Sequence, residues 1–125
     1  QARLINNYKK DWVVEKIQIA IKKFLKSTGR QPKVACMGLS YKADIDDLRE
    51  SPALEIYHEL EKAGSHVMAV EPNLRKHAEL EITDTLRAVD EADILVFLVA
   101  HKEFSSVAIP HGKNVLDFCG VQFKK

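Results

Sequence analysis

Three short and uninterrupted apolar runs constrain the fold of this chain more than any other feature. They cover residues 34–38, 66–70 and 94–99, and a fourth strand is expected around 115–116. Such runs, unlike alternating ones, are typical of parallel strands that are covered on both faces. Helical patterns separate the runs, which predicts right-handed βαβ units and an α/β domain with an open parallel sheet and helices on both faces.

The helical segments between the runs carry recognisable ends. Ser51 is a suitable N-cap, Pro52 is favourable at the first helical position, and Gly64 ends that pattern. A shorter helix is expected near 84–91.

A long helix is predicted ahead of the first strand, over residues 3–27, with Gly29 as its stop. Its apolar residues at helical spacing form one stripe, and further apolar residues widen that stripe beyond a single face. We therefore expect one face to contact this domain and the other to contact a second domain or subunit. The widening residues are Leu4, Tyr8, Trp12, Val14, Ile19 and Leu25.

Composition is that of a water-soluble globular domain, with 46% apolar and 30% charged residues in 125. No apolar stretch reaches the roughly eighteen residues of a membrane span, and the start shows no signal-peptide pattern, so no membrane partner is expected. The chain starts mid-helix without a Met, which is consistent with an excised fragment. Cys36 and Cys119 are far apart, which predicts buried, reduced thiols of a cytoplasmic protein rather than a metal site.

Charge is unevenly distributed along the chain. Residues 1–33 carry nine basic and two acidic side chains, whereas the remainder carries ten basic and sixteen acidic ones. A basic helix could bind nucleic acid, but aromatic residues do not alternate with the basic ones as base stacking requires. A solvated helix face is the favoured interpretation, and no nucleic-acid partner is expected.

The loop after the first strand is the first candidate for a binding site, because ligands of open α/β sheets bind beyond the carboxyl ends of the strands. Lys42 and Arg49 could each contact a phosphate, and Tyr41 offers a face for a planar base. The helix that begins at Ser51 adds a partial positive charge. Alternatively, these cations pair only with the aspartates of their own loop. The chain contains neither a glycine-rich dinucleotide fingerprint nor a P-loop.

Other polar residues carry weaker signals. Glu71 ends the second strand, where dinucleotide-binding folds place an acid on a ribose, but a turn residue before Pro72 is the favoured interpretation. No plausible nucleophile pairs with a histidine, so no catalytic set is expected. Surface or strand-end positions are expected for the histidines, which are His58, His66, His77, His101 and His111.

The stretch MGLSYKADIDDLRESPALEI resembles the signature of the C-terminal domain of the UDP-glucose/GDP-mannose dehydrogenase family. The helix that starts ARLINNYK is similar to the central helix joining the two halves of such enzymes, and VEPN and ADILVFLVAHKEF also fit. The resemblance implies a Rossmann-like domain. Residues 1–30 would be the C-terminal part of a connecting and dimerisation helix, and residues 31–125 a UDP-sugar-binding domain.

The resemblance also implies an activity. Members of the family use NAD to oxidise the C6 alcohol of a nucleotide sugar to a carboxylate through a cysteine thioester. The cysteine and the NAD-binding domain lie in their N-terminal part, so this chain alone would be inactive. Its partners would be a UDP-sugar, that N-terminal domain and a second copy bound through residues 3–27.

Within the family, INNYK…WVV and VEPN resemble members that act on UDP-N-acetyl-D-mannosamine for surface polysaccharide synthesis. The alternatives are a 6-dehydrogenase of UDP-glucose or UDP-N-acetylglucosamine, or a non-catalytic dimerisation module.

Particular residues match the family pattern. Lys42 corresponds to a contact of the nucleotide sugar, Tyr41 lies beside the nucleotide, and Arg49 corresponds to an arginine that reaches the NAD. Cys119 stands where the family carries a substrate-contacting Arg or Lys. Either a nearby cation such as Lys113 or Lys124 replaces it, or substrate binding is weaker.

Overall fold

The fold alternates helices and strands as the apolar runs predict. A computed structural model describes residues 2–39, 51–71, 82–99 and 101–119. Their elements, in chain order, are α1 (Ala2–Thr28), β1 (Lys33–Met37), α2 (Pro52–Lys62), β2 (His66–Val70), α3 (Thr85–Glu91), β3 (Ile94–Phe97), α4 (Lys102–Ser105) and β4 (Asn114–Asp117).

The four strands form one parallel sheet in the order β2-β1-β3-β4. Strand β1 is central, and its Cys36 pairs with Ala69 of β2 on one side and Val96 of β3 on the other. The chain passes from β1 outward to β2 and then crosses back over β1 to β3. Open sheets bind ligands at such a change of direction, beyond the carboxyl ends of the strands, which here are those of β1 and β3. The predicted open parallel sheet is confirmed.

Helices cover both faces of the sheet, as expected. On one face, α1 and α2 pack against alternate strand residues such as Val34 and Ile94. On the other, α3 and α4 cover the intervening residues, including Met37 and Leu95. Successive strand residues point to opposite faces, so an apolar core on each side requires the continuous apolar runs seen in the sequence.

Helix α1 confirms the predicted long helix and ends at Gly29, whose N–H donates to the Leu25 carbonyl at 2.8 Å. Its buried stripe contains Val13, Ile17, Ala20 and Ile21. Of the residues that widen the stripe, Trp12, Ile19 and Leu25 are 45%, 41% and 38% exposed, whereas Val14 packs against the core. Within the described ranges, no helix combines the length and apolar composition needed to cross a bilayer.

The caps of two helices match their sequence signals. The Ser51 hydroxyl accepts a hydrogen bond from Leu54 N–H, with Pro52 as the first residue of α2. The Asp84 side chain similarly accepts from Arg87 N–H at the start of α3. Helix α4 was not predicted, because four residues are too few for helical periodicity to be seen.

A cluster of charged side chains closes the amino edge of the sheet. Arg30 binds both oxygens of Asp93 at 3.0 and 2.9 Å, and Asp93 also accepts from Lys33 N–H at 2.9 Å. Lys113 donates to the carbonyls of Asp90 and Ala92, each at 2.7 Å, at the end of α3. These contacts tie the end of α1 and the start of β4 to the body of the domain.

Candidate functional site

The carboxyl ends of the strands all lie at the edge opposite this cluster. Gly38 and Leu39 follow β1, Glu71 follows β2, and Val99 lies at the exit of β3. Because the strands are parallel, these residues come together although they are distant in sequence. They form the floor of the crevice that the strand order predicts as a binding site.

Gly38 brings two of these strand exits into contact. Its φ is +98°, in the region that favours glycine, and a Cβ there would lie only 2.8 Å from the Val99 Cβ. Its N–H donates to the Val70 carbonyl at 2.8 Å, which also attaches β2. The glycine therefore fixes the direction in which the chain leaves β1.

A buried carboxylate links the same three exits. The Nε2 of His101 lies 2.9 Å from Oε2 and 3.0 Å from Oε1 of Glu71, and both side chains are fully buried. Oε1 of Glu71 also accepts from Leu39 N–H at 2.8 Å. One side chain after β2 is thus bonded to the residue after β1 and to a residue beyond β3.

This pair corrects two expectations. Of the two positions expected for His101, surface or strand end, the surface is excluded, because no part of its side chain is exposed. Glu71 is not a simple turn residue before Pro72, since its carboxylate is buried against His101 and Leu39 N–H. Part of the signal was present in the sequence, because both residues follow apolar runs and the exits of parallel strands lie at one edge of the sheet. The pairing itself depends on the strand order, in which β2 and β3 flank β1.

Ser51 closes the base of the candidate loop. Its hydroxyl donates to the Leu39 carbonyl at 2.6 Å, while its oxygen caps α2. The two residues that flank the loop, 39 and 51, are therefore held together at the crevice. Tyr41, Lys42 and Arg49 lie between them and outside the described residues.

Cys119 lies at the same carboxyl edge, two residues beyond the end of β4. It is half-buried rather than buried as expected, and its N–H donates to Asp117 Oδ1 at 3.2 Å. The suggestion that Lys113 supplies the missing cation is wrong. Lys113 precedes β4, at the opposite edge, and its ammonium binds the carbonyls that end α3. Lys124 lies outside the described residues.

Cys36 is buried, as predicted, in the middle of β1. Burial raises the pKa of its thiol to about 12, because a thiolate would lose its hydration there. A thiolate is the reactive form of cysteine, so Cys36 has no access to nucleophilic chemistry. Across the described ranges, no three His, Cys, Asp or Glu side chains are grouped to bind a metal ion.

The parallel sheet, with its change of direction between β1 and β3, defines a Rossmann-like α/β domain. Residues 35–122 match the model of the UDP-glucose/GDP-mannose dehydrogenase family, UDP binding domain. The chain belongs to this family, which confirms the resemblance seen in the sequence.

Curated relatives and solved structures agree with this assignment. Over 126 residues the chain is 40% identical to the UDP-N-acetyl-D-mannosamine dehydrogenase of Campylobacter jejuni, covering 94% of this chain and 29% of the relative. A UDP-N-acetyl-mannosamine dehydrogenase structure from Staphylococcus aureus superposes with a TM-score of 0.74 and 30% identity, over 95% of this chain and 29% of that one. A GDP-mannose dehydrogenase structure from Pseudomonas aeruginosa superposes with a TM-score of 0.64 and 26% identity, over 78% of this chain and 27% of that one. The chain thus spans less than a third of each.

Proposed function

We propose that this chain is the nucleotide-sugar-binding part of an NAD-dependent UDP-sugar 6-dehydrogenase. The substrate is UDP-N-acetyl-D-mannosamine, oxidised to UDP-N-acetyl-D-mannosaminuronic acid for surface polysaccharide synthesis in the cytoplasm. The family match over residues 35–122 carries the proposal, and the relatives that bear this enzyme's name support the choice of sugar.

The loop between Leu39 and Ser51 supplies the substrate contacts in this proposal. Lys42 places a positive charge on the pyrophosphate, and Tyr41 lies beside the nucleotide. The base of the loop supports these roles, because the 2.6 Å hydrogen bond between its flanking residues holds it at the crevice. Cys119, at the same edge, replaces a cationic substrate contact of the family. UDP-glucose and UDP-N-acetylglucosamine are therefore the alternative substrates to test.

The chemistry itself belongs to a second domain in this proposal. Oxidation through a thioester needs a reactive cysteine, and Cys36 is excluded by its burial and raised pKa. NAD supplies the hydride acceptor. The β1 exit does not fit its pyrophosphate, because Gly38 packs against Val99 instead of leaving space for it. An N-terminal domain holds NAD, and Arg49 reaches it across the crevice.

The loop assignment is tested by Lys42→Ala in the full-length protein, with UDP affinity measured by calorimetry. Loss of a charged hydrogen bond to phosphate should weaken binding by about 1.5–3 kcal/mol. Lys62→Ala removes an exposed lysine at the end of α2 and should leave affinity unchanged. Equal affinity of the Lys42 variant and the unaltered protein would remove this lysine from the site.

The activity is tested by following NAD reduction in the full-length protein with each candidate sugar. We expect reduction with UDP-N-acetyl-D-mannosamine, and slower or no reduction with UDP-glucose and UDP-N-acetylglucosamine. Failure to reduce NAD with any UDP-sugar would refute the proposed function.

A further inference from the structure

We propose that Glu71 and His101 are positioning residues of the nucleotide site, which fix Leu39 at the exit of β1. The inference rests on the proposed function for its ligand. Neither residue is assigned a contact with the nucleotide. Their role is to hold Leu39, the residue from which the loop departs.

The contacts join three separate strands at one point. Glu71 follows β2, and its Oε1 accepts from Leu39 N–H after β1 at 2.8 Å. His101, beyond β3, approaches both carboxylate oxygens through Nε2 at 2.9 and 3.0 Å. With the Nε2–H tautomer of His101, this ring nitrogen donates to the carboxylate beside the Leu39 N–H. Rotation of either side chain would therefore break a contact to the exit of another strand.

Because the pair is buried, its main effect is to select one conformation of the chain rather than to add stability. A carboxylate withdrawn from water is costly unless it is fully hydrogen-bonded, and apolar residues of similar size would often be as stable. An apolar residue at either position, however, would leave the Leu39 N–H without this acceptor or the carboxylate without this donor. What the pair adds is a defined direction for the chain as it leaves β1.

The fixed point is transmitted to the loop through Leu39 itself. Its N–H is held by Glu71, and its carbonyl accepts from the Ser51 hydroxyl at 2.6 Å. The backbone of Leu39 is thus bonded both to Glu71 and to Ser51, the residue at the other end of the loop. A displacement of about 1 Å of a binding group can cost on the order of a hundredfold in function, so a loosened base would be felt at the phosphates.

The experiment compares His101→Leu, His101→Gln and Glu71→Gln in the full-length protein. His101→Leu removes the donor, whereas His101→Gln retains an N–H at the end of a side chain of similar reach. His58→Leu is the matched control, because His58 lies exposed on α2. UDP affinity is measured by calorimetry at a temperature where every variant is folded by circular dichroism. Hydrogen exchange of the Leu39 amide is measured alongside.

We expect His101→Leu to lower UDP affinity about tenfold or more and to speed Leu39 exchange, while amides within β3 keep their protection. His101→Gln should recover most of the affinity, because it keeps an N–H donor. If the effect of His101→Leu came from lost stability alone, this recovery would not be expected. If His101→Leu does not fold, Glu71→Gln provides the same comparison, because it keeps the size of the side chain while weakening both hydrogen bonds. A folded variant with unchanged affinity and unchanged Leu39 exchange would overturn the inference.

The experiment also distinguishes failure of the proposed function from failure of this inference. If the unaltered protein bound no UDP, the nucleotide site itself would be refuted. Leu39 exchange would still decide whether the Glu71–His101 pair holds the loop.

Discussion

Asp93 receives three hydrogen bonds at the amino edge of the sheet, two from the Arg30 guanidinium and one from Lys33 N–H. The hydrogen bonds from Arg30 lower the pKa of Asp93 most; partial burial opposes them, and the Lys33 amide assists. Bonds of this kind favour the charged carboxylate, so the folded chain holds it ionised to lower pH than the unfolded chain does.

Asp93→Asn should therefore destabilise the chain at neutral pH by about 1 kcal/mol, since solvent screens the exposed Arg30. Because the folded pKa is lowered, the advantage of the unaltered chain is complete above the unfolded value of about 4 and disappears as pH falls through the folded value. Urea unfolding at pH 7 and pH 3 measures this difference. Asp90→Asn, at an exposed side chain, is the control and should show little change at either pH.

The two cysteines should differ sharply in reactivity. Cys36 is buried in β1 with its pKa raised to about 12, whereas Cys119 is half-buried at the carboxyl edge. Alkylation at pH 8 should therefore modify Cys119 but not Cys36 in the folded chain, and both in urea. Mass spectrometry of the intact and digested protein distinguishes these outcomes. Modification of Cys36 at the rate of Cys119 would contradict the burial described here.

Two glycines with similar backbone angles end different elements and should respond differently to substitution. Gly38 has a φ of +98° and no room for a Cβ, whereas Gly29 has a φ of +79° and nothing within 4 Å of that position. Gly29→Ala should cost about 1 kcal/mol, the conformational cost alone. Gly38→Ala adds the clash with Val99 and should cost about 2–4 kcal/mol. Thermal unfolding of the two variants tests the difference, and equal costs would contradict the close approach of β1 and β3.

Elements were predictable from the sequence wherever local signals and burial agree. The apolar runs of β1 to β3 are covered on both faces, and Ser51 and Asp84 cap their helices as their side chains suggest. Contacts between elements were not predictable to the same degree. The Glu71–His101 pair depends on the strand order, which places β2 and β3 on either side of β1. The edge on which Lys113 lies depends on where β4 begins.

Over the whole molecule, α1 extends from its exposed apolar residues to the carboxyl edge of the sheet. Trp12 packs edge-on against Phe118, with ring centroids 5.7 Å apart, and Phe118 immediately precedes Cys119. The same helix exposes Ile19 and Leu25 farther along. Trp12 and Ile19, seven residues apart, lie on one face of α1. Exposed apolar residues on one helix face favour association with another protein surface, and the proposed partner is the α1 helix of a second copy.

Substitution of Ile19 should then separate the two copies. Ile19 is 41% exposed on α1, and a glutamate in its place would have to be buried without a partner in the dimer. We expect Ile19→Glu to raise the dimer dissociation constant at least about a hundredfold, since burying an unpaired charge costs on the order of 3 kcal/mol or more. Sedimentation velocity over a range of concentrations measures the change. Leu86→Glu is the matched control, because Leu86 is 73% exposed on α3, across the sheet from α1, and its variant should remain dimeric. A chain that is monomeric before substitution, or a dimer insensitive to glutamate at position 19, would exclude this part of α1 from the dimer interface.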